Sequence, residues 1–335
     1  MTNVQIWGKA LTGMPRLTDE QWQQLDPFGR WLICVRASVL LMTFSSSVLA
    51  GLLALYFNTL HWGLWCLVTL GLCLAHATNN LINDATDYWR GIDKDEYFRN
   101  QYGVQPLARG LVSSAEMIFL IGCTGLAALA VGLLLLWWRG ELVLQLLLAG
   151  CFFVLFYTWP LKKWGLGEPA VLLVWGPLMV GGGYYVITGQ WSWLVALISL
   201  AYALGPTCVL FGKHIDKLAA DAAKGVRTLP VILGDSQARR WVQIMLVSQY
   251  AIVLVLVLSG SLPWPTLLVL LGLKSARRLW HVYSQTTPDS KPERYPESVW
   301  PLWFSAYAFA HTRLFGGWLF LGLVLGWIWD VIQGG

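Results

Sequence analysis

A chain of 335 residues that is 56% hydrophobic and only 12% charged, with 21 Trp and a net charge of +5, does not have the make-up of a soluble enzyme. A soluble domain of this size would be roughly a quarter charged. No nucleic-acid partner is expected, and the six Cys (34, 66, 73, 123, 151 and 208) have no paired spacing and read as small buried hydrophobes.

Taken in chain order, residues 1–32 are polar and mixed, with no apolar core of the kind a cleaved signal peptide needs. Apolar runs near 20 residues then recur, each long enough to cross about 30 Å of hydrocarbon. The sequence predicts nine: roughly 33–57, 62–83, 115–137, 141–158, 168–188, 191–211, 238–260, 263–279 and 313–333, the eighth being short. The expected fold class is therefore all-α, a polytopic membrane protein forming one domain over 1–335. With the N-terminus in the cytoplasm, segments 1–32, 84–114, 159–167, 212–237 and 275–313, with the adjoining helix ends, collect all but two of the 23 Lys and Arg. Arg139 falls on the opposite side and Arg36 inside the first helix. That asymmetry is the positive-inside pattern, and it sends the C-terminus to the far side.

Two acidic motifs lie in the cytoplasmic segments 84–114 and 212–237. In the first, Asn80, Asp84 and Asp87 share one face if the second helix continues through them, with Asn83 four before Asp87 and His76 four before Asn80. Carboxylate and amide oxygens on one helix face are the hard ligands that Mg²⁺ takes alongside water and substrate phosphate. Asp93 follows, while Asp95, Glu96 and Arg99 read as solvated loop charges. In the second motif, Asp216 and Asp221 are five apart, about 140° around a regular helix. Either the segment bends there or the two acids have different jobs. Lys213, Lys224 and Arg227 bracket them and could serve diphosphate oxygens. Carboxylates alone would repel an anionic ligand; acids and cations together suggest a divalent metal bridging the acids to a phosphate group.

These residues carry a family resemblance. Asn80-x-x-Asn83-Asp84-x-x-Asp87-x-x-x-Gly91-x-Asp93 is similar to the first aspartate motif of UbiA-superfamily intramembrane prenyltransferases. Asp221-x-x-x-Gly225-x-x-Thr228-Leu229 resembles the end of the second. Between them, Tyr157-Thr-Trp-Pro160-Leu-Lys162, Gly165-Leu-Gly167-Glu168, Gly176-Pro177 and Tyr184-Tyr185-x-x-Thr188-Gly189 resemble the central signature of the 1,4-dihydroxy-2-naphthoate polyprenyltransferases of menaquinone synthesis. One departure stands out: the second motif's acids are usually four apart, and here Lys217 stands four before Asp221.

The resemblance implies a UbiA-type helical bundle with a cytoplasm-facing cavity, in a bacterial inner membrane. It implies Mg²⁺-dependent transfer from a polyprenyl diphosphate to an aromatic acceptor such as dihydroxynaphthoate, with loss of CO₂ and pyrophosphate. Asn80, Asp84, Asp87, Asp216 and Asp221 would hold Mg²⁺, the four Asp being the catalytic acids. Arg36, Asn80, Asn83, Arg109, Lys162, Lys213, Lys224 and Arg227 would meet the diphosphate. His76, Tyr157, Tyr184 and Tyr185 would line the prenyl and acceptor pocket, with membrane lipid around it. A terpene cyclase, or a transferase with another acceptor, would use the same diphosphate site. A transporter or lipid-binding protein is the non-enzymatic alternative, and it would more often show inverted repeats and charge at mid-membrane.

Overall fold

The structure, a computed structural model, describes residues 3–13, 15–57, 59–93, 98 and 103–334. Asp95, Glu96 and Arg99 lie outside the described residues. Three short helices open the chain: α1 (Asn3–Thr12), α2 (Asp19–Gln23) and α3 (Pro27–Cys34). Local chemistry sets their starts. Thr18 and Gln21 form a capping box on α2, and Asp26 caps α3 with Pro27 in its first turn. Leu17, Trp22 and Leu32 pack with Ala77, Leu81 and Met117, so this segment is a cap on the bundle rather than a loose tail.

The bundle follows: α4 (Leu40–Phe57), α5 (Trp62–Trp89), α6 (Ser114–Arg139), α7 (Glu141–Phe156), α8 (Gly167–Leu173), α9 (Gly182–Thr188), α10 (Trp193–Asp216), α11 (Leu218–Ala223), α12 (Leu229–Leu233), α13 (Asp235–Leu258), α14 (Leu273–Tyr283) and α15 (Phe304–Gln333). With their adjoining turns, these give eight helical stretches long and apolar enough to cross a membrane among the described residues. Burial grades them. Most of the apolar window of α10 is covered, making it the central helix, whereas α6 and α7 leave most of theirs open.

The expected eighth span, 263–279, is not among the eight. Pro263 and Pro265 open a 3-10 segment, Trp264–Gly272, which leads directly into α14 with its Lys274, Arg277 and Arg278. The 3-10 segment packs along α15 at Gly322, where a Cβ would lie 2.5 Å from Thr266 Cα and 2.6 Å from the Pro265 carbonyl. Only a glycine lets the two backbones meet there.

Two further breaks position the site. After α7 the chain kinks at Trp159-Pro160, and a second kink at Gly176-Pro177 separates α8 from α9. At the end of α10, Asp216 accepts hydrogen bonds from the backbone N–H of Phe304 (2.7 Å) and of Ser305 (3.0 Å), the first residues of α15. It thereby satisfies two of the orphan donors of a helix distant in sequence and places negative charge at that helix's positive end.

Between α4, α5, α6, α7 and the α8–α9 pair runs a cavity of ≈ 1240 Å³. Arg36, Asn80, Asn83 and Lys213 stand at one end of it, and Leu135, Val143, Leu146 and Val186 line it towards the other. We predict that Asp216→Ala costs about 2 kcal/mol through loss of the α15 cap, read as a lower thermal unfolding midpoint of the purified chain in detergent. An unchanged midpoint would contradict the capping role.

Candidate active site

Helix α5 runs without interruption to Trp89, so the first acidic motif sits on a helix end and not in a loop beginning at 84. Asn80, Asn83, Asp84 and Asp87 are all buried. Asn80 donates from its amide to the Val35 carbonyl (2.9 Å). That bond fixes the backbone beside Arg36, whose guanidinium pairs with Asp84.

Arg36 does not lie within the first membrane helix as expected. It occupies the break between α3 and the 3-10 turn that precedes α4, in the left-handed region (φ 53°, ψ 58°). It is the one non-glycine residue with positive φ among the described residues. Such a conformation costs of order 1 kcal/mol or more and persists where the surroundings over-determine it. Here the Asn80 clamp and the Asp84 pair do so.

Lys162 comes from the segment after the Trp159-Pro160 kink, which turns the chain back onto α5. Its Nζ donates to both oxygens of Asp87 (3.0 and 2.9 Å), with both side chains buried. The Asn83 amide lies 3.2 Å from Thr158 Oγ1. Turned so that its oxygen accepts from Arg36 (3.3 Å), its nitrogen donates to Asp87 (3.3 Å). Past the end of α5, burial first and the Asp87 charge second push the Asp93 carboxyl up to about 6.

The second motif resolves the two readings of its five-residue spacing. The helix breaks at Lys217, and the acids then do different things. Asp216 spends both oxygens on the α15 cap, which argues against it as a metal ligand. Asp221, fully buried on α11, accepts from Lys217 Nζ at 2.9 Å.

A further buried pair was not assigned a role from sequence. Glu168, at the start of α8, lies 2.5 Å from His214 Nδ1 and accepts from the Leu229 N–H (3.4 Å). The signal for it was an acid inside an apolar run right after Gly165-Leu-Gly167.

Other expected residues scatter. Lys213, His76 and Tyr157 line the cavity. His76 Nδ1 lies 2.8 Å from Thr43 Oγ1, and its ring is edge-on to Trp175. Arg109 instead donates to the Leu17 carbonyl and pairs with Asp19, holding the N-terminal cap. Arg227 is exposed, and Lys224 is half-buried. Tyr184 belongs to the packed core, and Tyr185 donates to the Arg139 carbonyl at the far end; neither lines the cavity, because the opposite face of α9 does.

The site thus pairs acid with cation: Asp84 with Arg36, Asp87 with Lys162, Asp221 with Lys217. Among the described residues no three His, Cys, Asp or Glu converge as a metal-binding group. The donor set on α5, two carboxylates and two amides one turn apart, fits an ion that draws its remaining ligands from water and phosphate, as Mg²⁺ does.

Comparison with known proteins places this arrangement. Residues 44–296 match the UbiA prenyltransferase family. The chain is 29% identical to 2-carboxy-1,4-naphthoquinone phytyltransferase of Synechocystis over 74% of its own length and 80% of the relative's. It is 30% identical to 1,4-dihydroxy-2-naphthoate octaprenyltransferase of Escherichia coli over 65% and 73%. The fold is shared with a UbiA homolog from Archaeoglobus fulgidus bound to GPP and Mg²⁺ (TM-score 0.58, 14% identity, 88% and 99% covered). It is shared equally with that homolog bound to DMAPP and Mg²⁺ (TM-score 0.59, 14% identity, 88% and 99% covered). These likenesses set aside the transporter and lipid-binding alternatives: the chain belongs to the UbiA prenyltransferase family and is a membrane-embedded prenyltransferase.

Proposed function

We propose that this chain transfers a polyprenyl group from its diphosphate to 1,4-dihydroxy-2-naphthoate, with loss of CO₂ and pyrophosphate. The observation that carries the reading is the two buried acid–cation pairs, Arg36 with Asp84 and Lys162 with Asp87, around Asn80 and Asn83 at one end of a long apolar cavity. The names of the naphthoate-acting relatives support the acceptor. The positive-inside asymmetry supports placing the charged end at the cytoplasmic face of a bacterial inner membrane.

Asp84 and Asp87, with the amide oxygens of Asn80 and Asn83, would hold Mg²⁺. When bound, that ion neutralises the diphosphate and makes it a leaving group. Arg36 and Lys162 would then turn from their carboxylates to diphosphate oxygens, joined there by Lys213 on the cavity wall. An acid released by its cation is an acid available to the metal, so the two exchanges balance charge. Arg36 offers a planar fork matched to two phosphate oxygens, already aimed by its left-handed backbone. The C1–O bond of the prenyl donor breaks, the electron-rich acceptor ring forms a bond to C1, and the carboxylate on that ring carbon leaves as CO₂. Tyr157 and His76, on the cavity wall near the acids, are placed to shield the allylic cation from water. Lateral exit of the product into lipid completes the proposal.

Purified chain in lipid, given dihydroxynaphthoate, a polyprenyl diphosphate and Mg²⁺, should yield a prenylated, decarboxylated naphthoquinol by mass spectrometry. EDTA should abolish it, and Asp84→Asn should lower kcat by about 100-fold or more. Pyrophosphate release without that quinol would point instead to another acceptor or to cyclisation. Arg36→Lys keeps the charge but loses the fork, and should lower kcat/KM for the donor roughly tenfold. An unchanged kcat/KM would remove Arg36 from the donor site.

A further inference from the structure

We infer that Lys217 takes the place of a second metal ion in this chain, so that the loaded site holds one divalent cation, on the α5 side. The inference rests on the reading above that the site takes a magnesium prenyl diphosphate.

The two motifs are not equivalent. On α5, Asp84 and Asp87 are one turn apart, with the Asn80 and Asn83 amides on the same stretch of helix. Around Asp221 the supply of oxygen ligands is far poorer. Asp216, the neighbouring acid of its own motif, is committed to the N–H groups of Phe304 and Ser305. Glu168, another buried acid near this end of α10, is committed to His214 and the Leu229 N–H.

What stands beside Asp221 is an ammonium. Lys217 Nζ lies 2.9 Å from Asp221 Oδ1, one helical turn away, and both side chains are buried. A hard dication at that carboxylate would have few protein ligands beside Asp221 itself. The ammonium needs no further ligands. It is a compact point charge with three donors, and such a group suits a phosphate oxygen as well as the Asp221 carboxylate. The break in the helix at Lys217 is what allows this arrangement: it carries Asp216 off towards α15 and leaves Lys217 facing Asp221. Lys217 is thus a fixed, protein-borne cation where the second motif would otherwise recruit a metal. It stands close to Lys213, which lines the polar end of the cavity.

The test counts ions rather than turnover. The full-length chain in detergent is saturated with Mn²⁺ and an unreactive geranyl thiolodiphosphate, and bound Mn²⁺ is obtained from loss of the free-ion electron paramagnetic resonance signal. One ion per chain in the wild type and two in Lys217→Asp is the expected result. Two ions in the wild type would overturn the inference while leaving the magnesium diphosphate reading intact. No ion in the wild type would overturn that reading and the inference with it. One ion in both proteins would also overturn the assignment to Lys217. Should Lys217→Asp fail to fold, Lys217→Gln decides: analogue affinity should fall roughly tenfold with the count still one, and unchanged affinity would refute the role.

Discussion

Charges buried at one end of an apolar helical bundle must be met by opposite charges, and this single constraint organises the molecule. A buried carboxylate left alone costs several kcal/mol, and breaking a buried pair by removing one partner typically costs about 3–5 kcal/mol. Asp84 and Asp87 are met by cations from elsewhere in the chain, Arg36 from the turn before α4 and Lys162 from the kink after α7, and Asp221 by Lys217 one helical turn before it. The first two pairs tie the turn before α4, the end of α5 and the kink after α7 to one another. The Asp84 and Asp87 pairs also hold in readiness the two things a metal-bound diphosphate needs, oxygens for the metal and cations for the phosphates.

Each cation is delivered by a departure from regular helix. Arg36 sits in a left-handed conformation, Lys162 follows the Trp159-Pro160 kink, and Lys217 marks the break between α10 and α11. Regular helices place side chains on a fixed spiral, so converging groups from several helices onto one point requires breaks near that point. The far end of the cavity, lined by Leu135, Val143, Leu146 and Val186, carries no such polar convergence and needs only apolar bulk. A polar head end and a featureless apolar length are what a prenyl diphosphate presents.

Legibility in the sequence followed the range of the interaction. Asn80, Asp84 and Asp87 could be read as one face because helical spacing is local, and α5 confirms that the helix continues through them. The position of Asp216 could not be read, since its partners are the backbone N–H groups of Phe304 and Ser305, 88 and 89 residues away. Arg36 was placed inside a helix because nothing in Val35-Arg36-Ala37 marks a left-handed residue that is not glycine. Tyr184 and Tyr185 sit in a signature stretch yet turn away from the cavity, and an apolar helix does not reveal in sequence which face meets one. Pro263 and Pro265 were visible before the eighth span, yet hydropathy alone did not foretell a 3-10 segment there. Arg109 illustrates the same limit: a basic loop residue near the motif serves the N-terminal cap instead.

At the centre of the account is the exchange of partners, in which metal takes the acids as the diphosphate takes the cations. The most direct measurement is calorimetric binding of inorganic pyrophosphate to the purified chain with and without Mg²⁺. If the acids hold the cations until a metal replaces them, Mg²⁺ should tighten pyrophosphate binding roughly 100-fold, and pyrophosphate should tighten Mg²⁺ binding by the same factor. Equal pyrophosphate affinity in the presence and absence of Mg²⁺ would contradict the account, because the cations alone would then be binding the diphosphate.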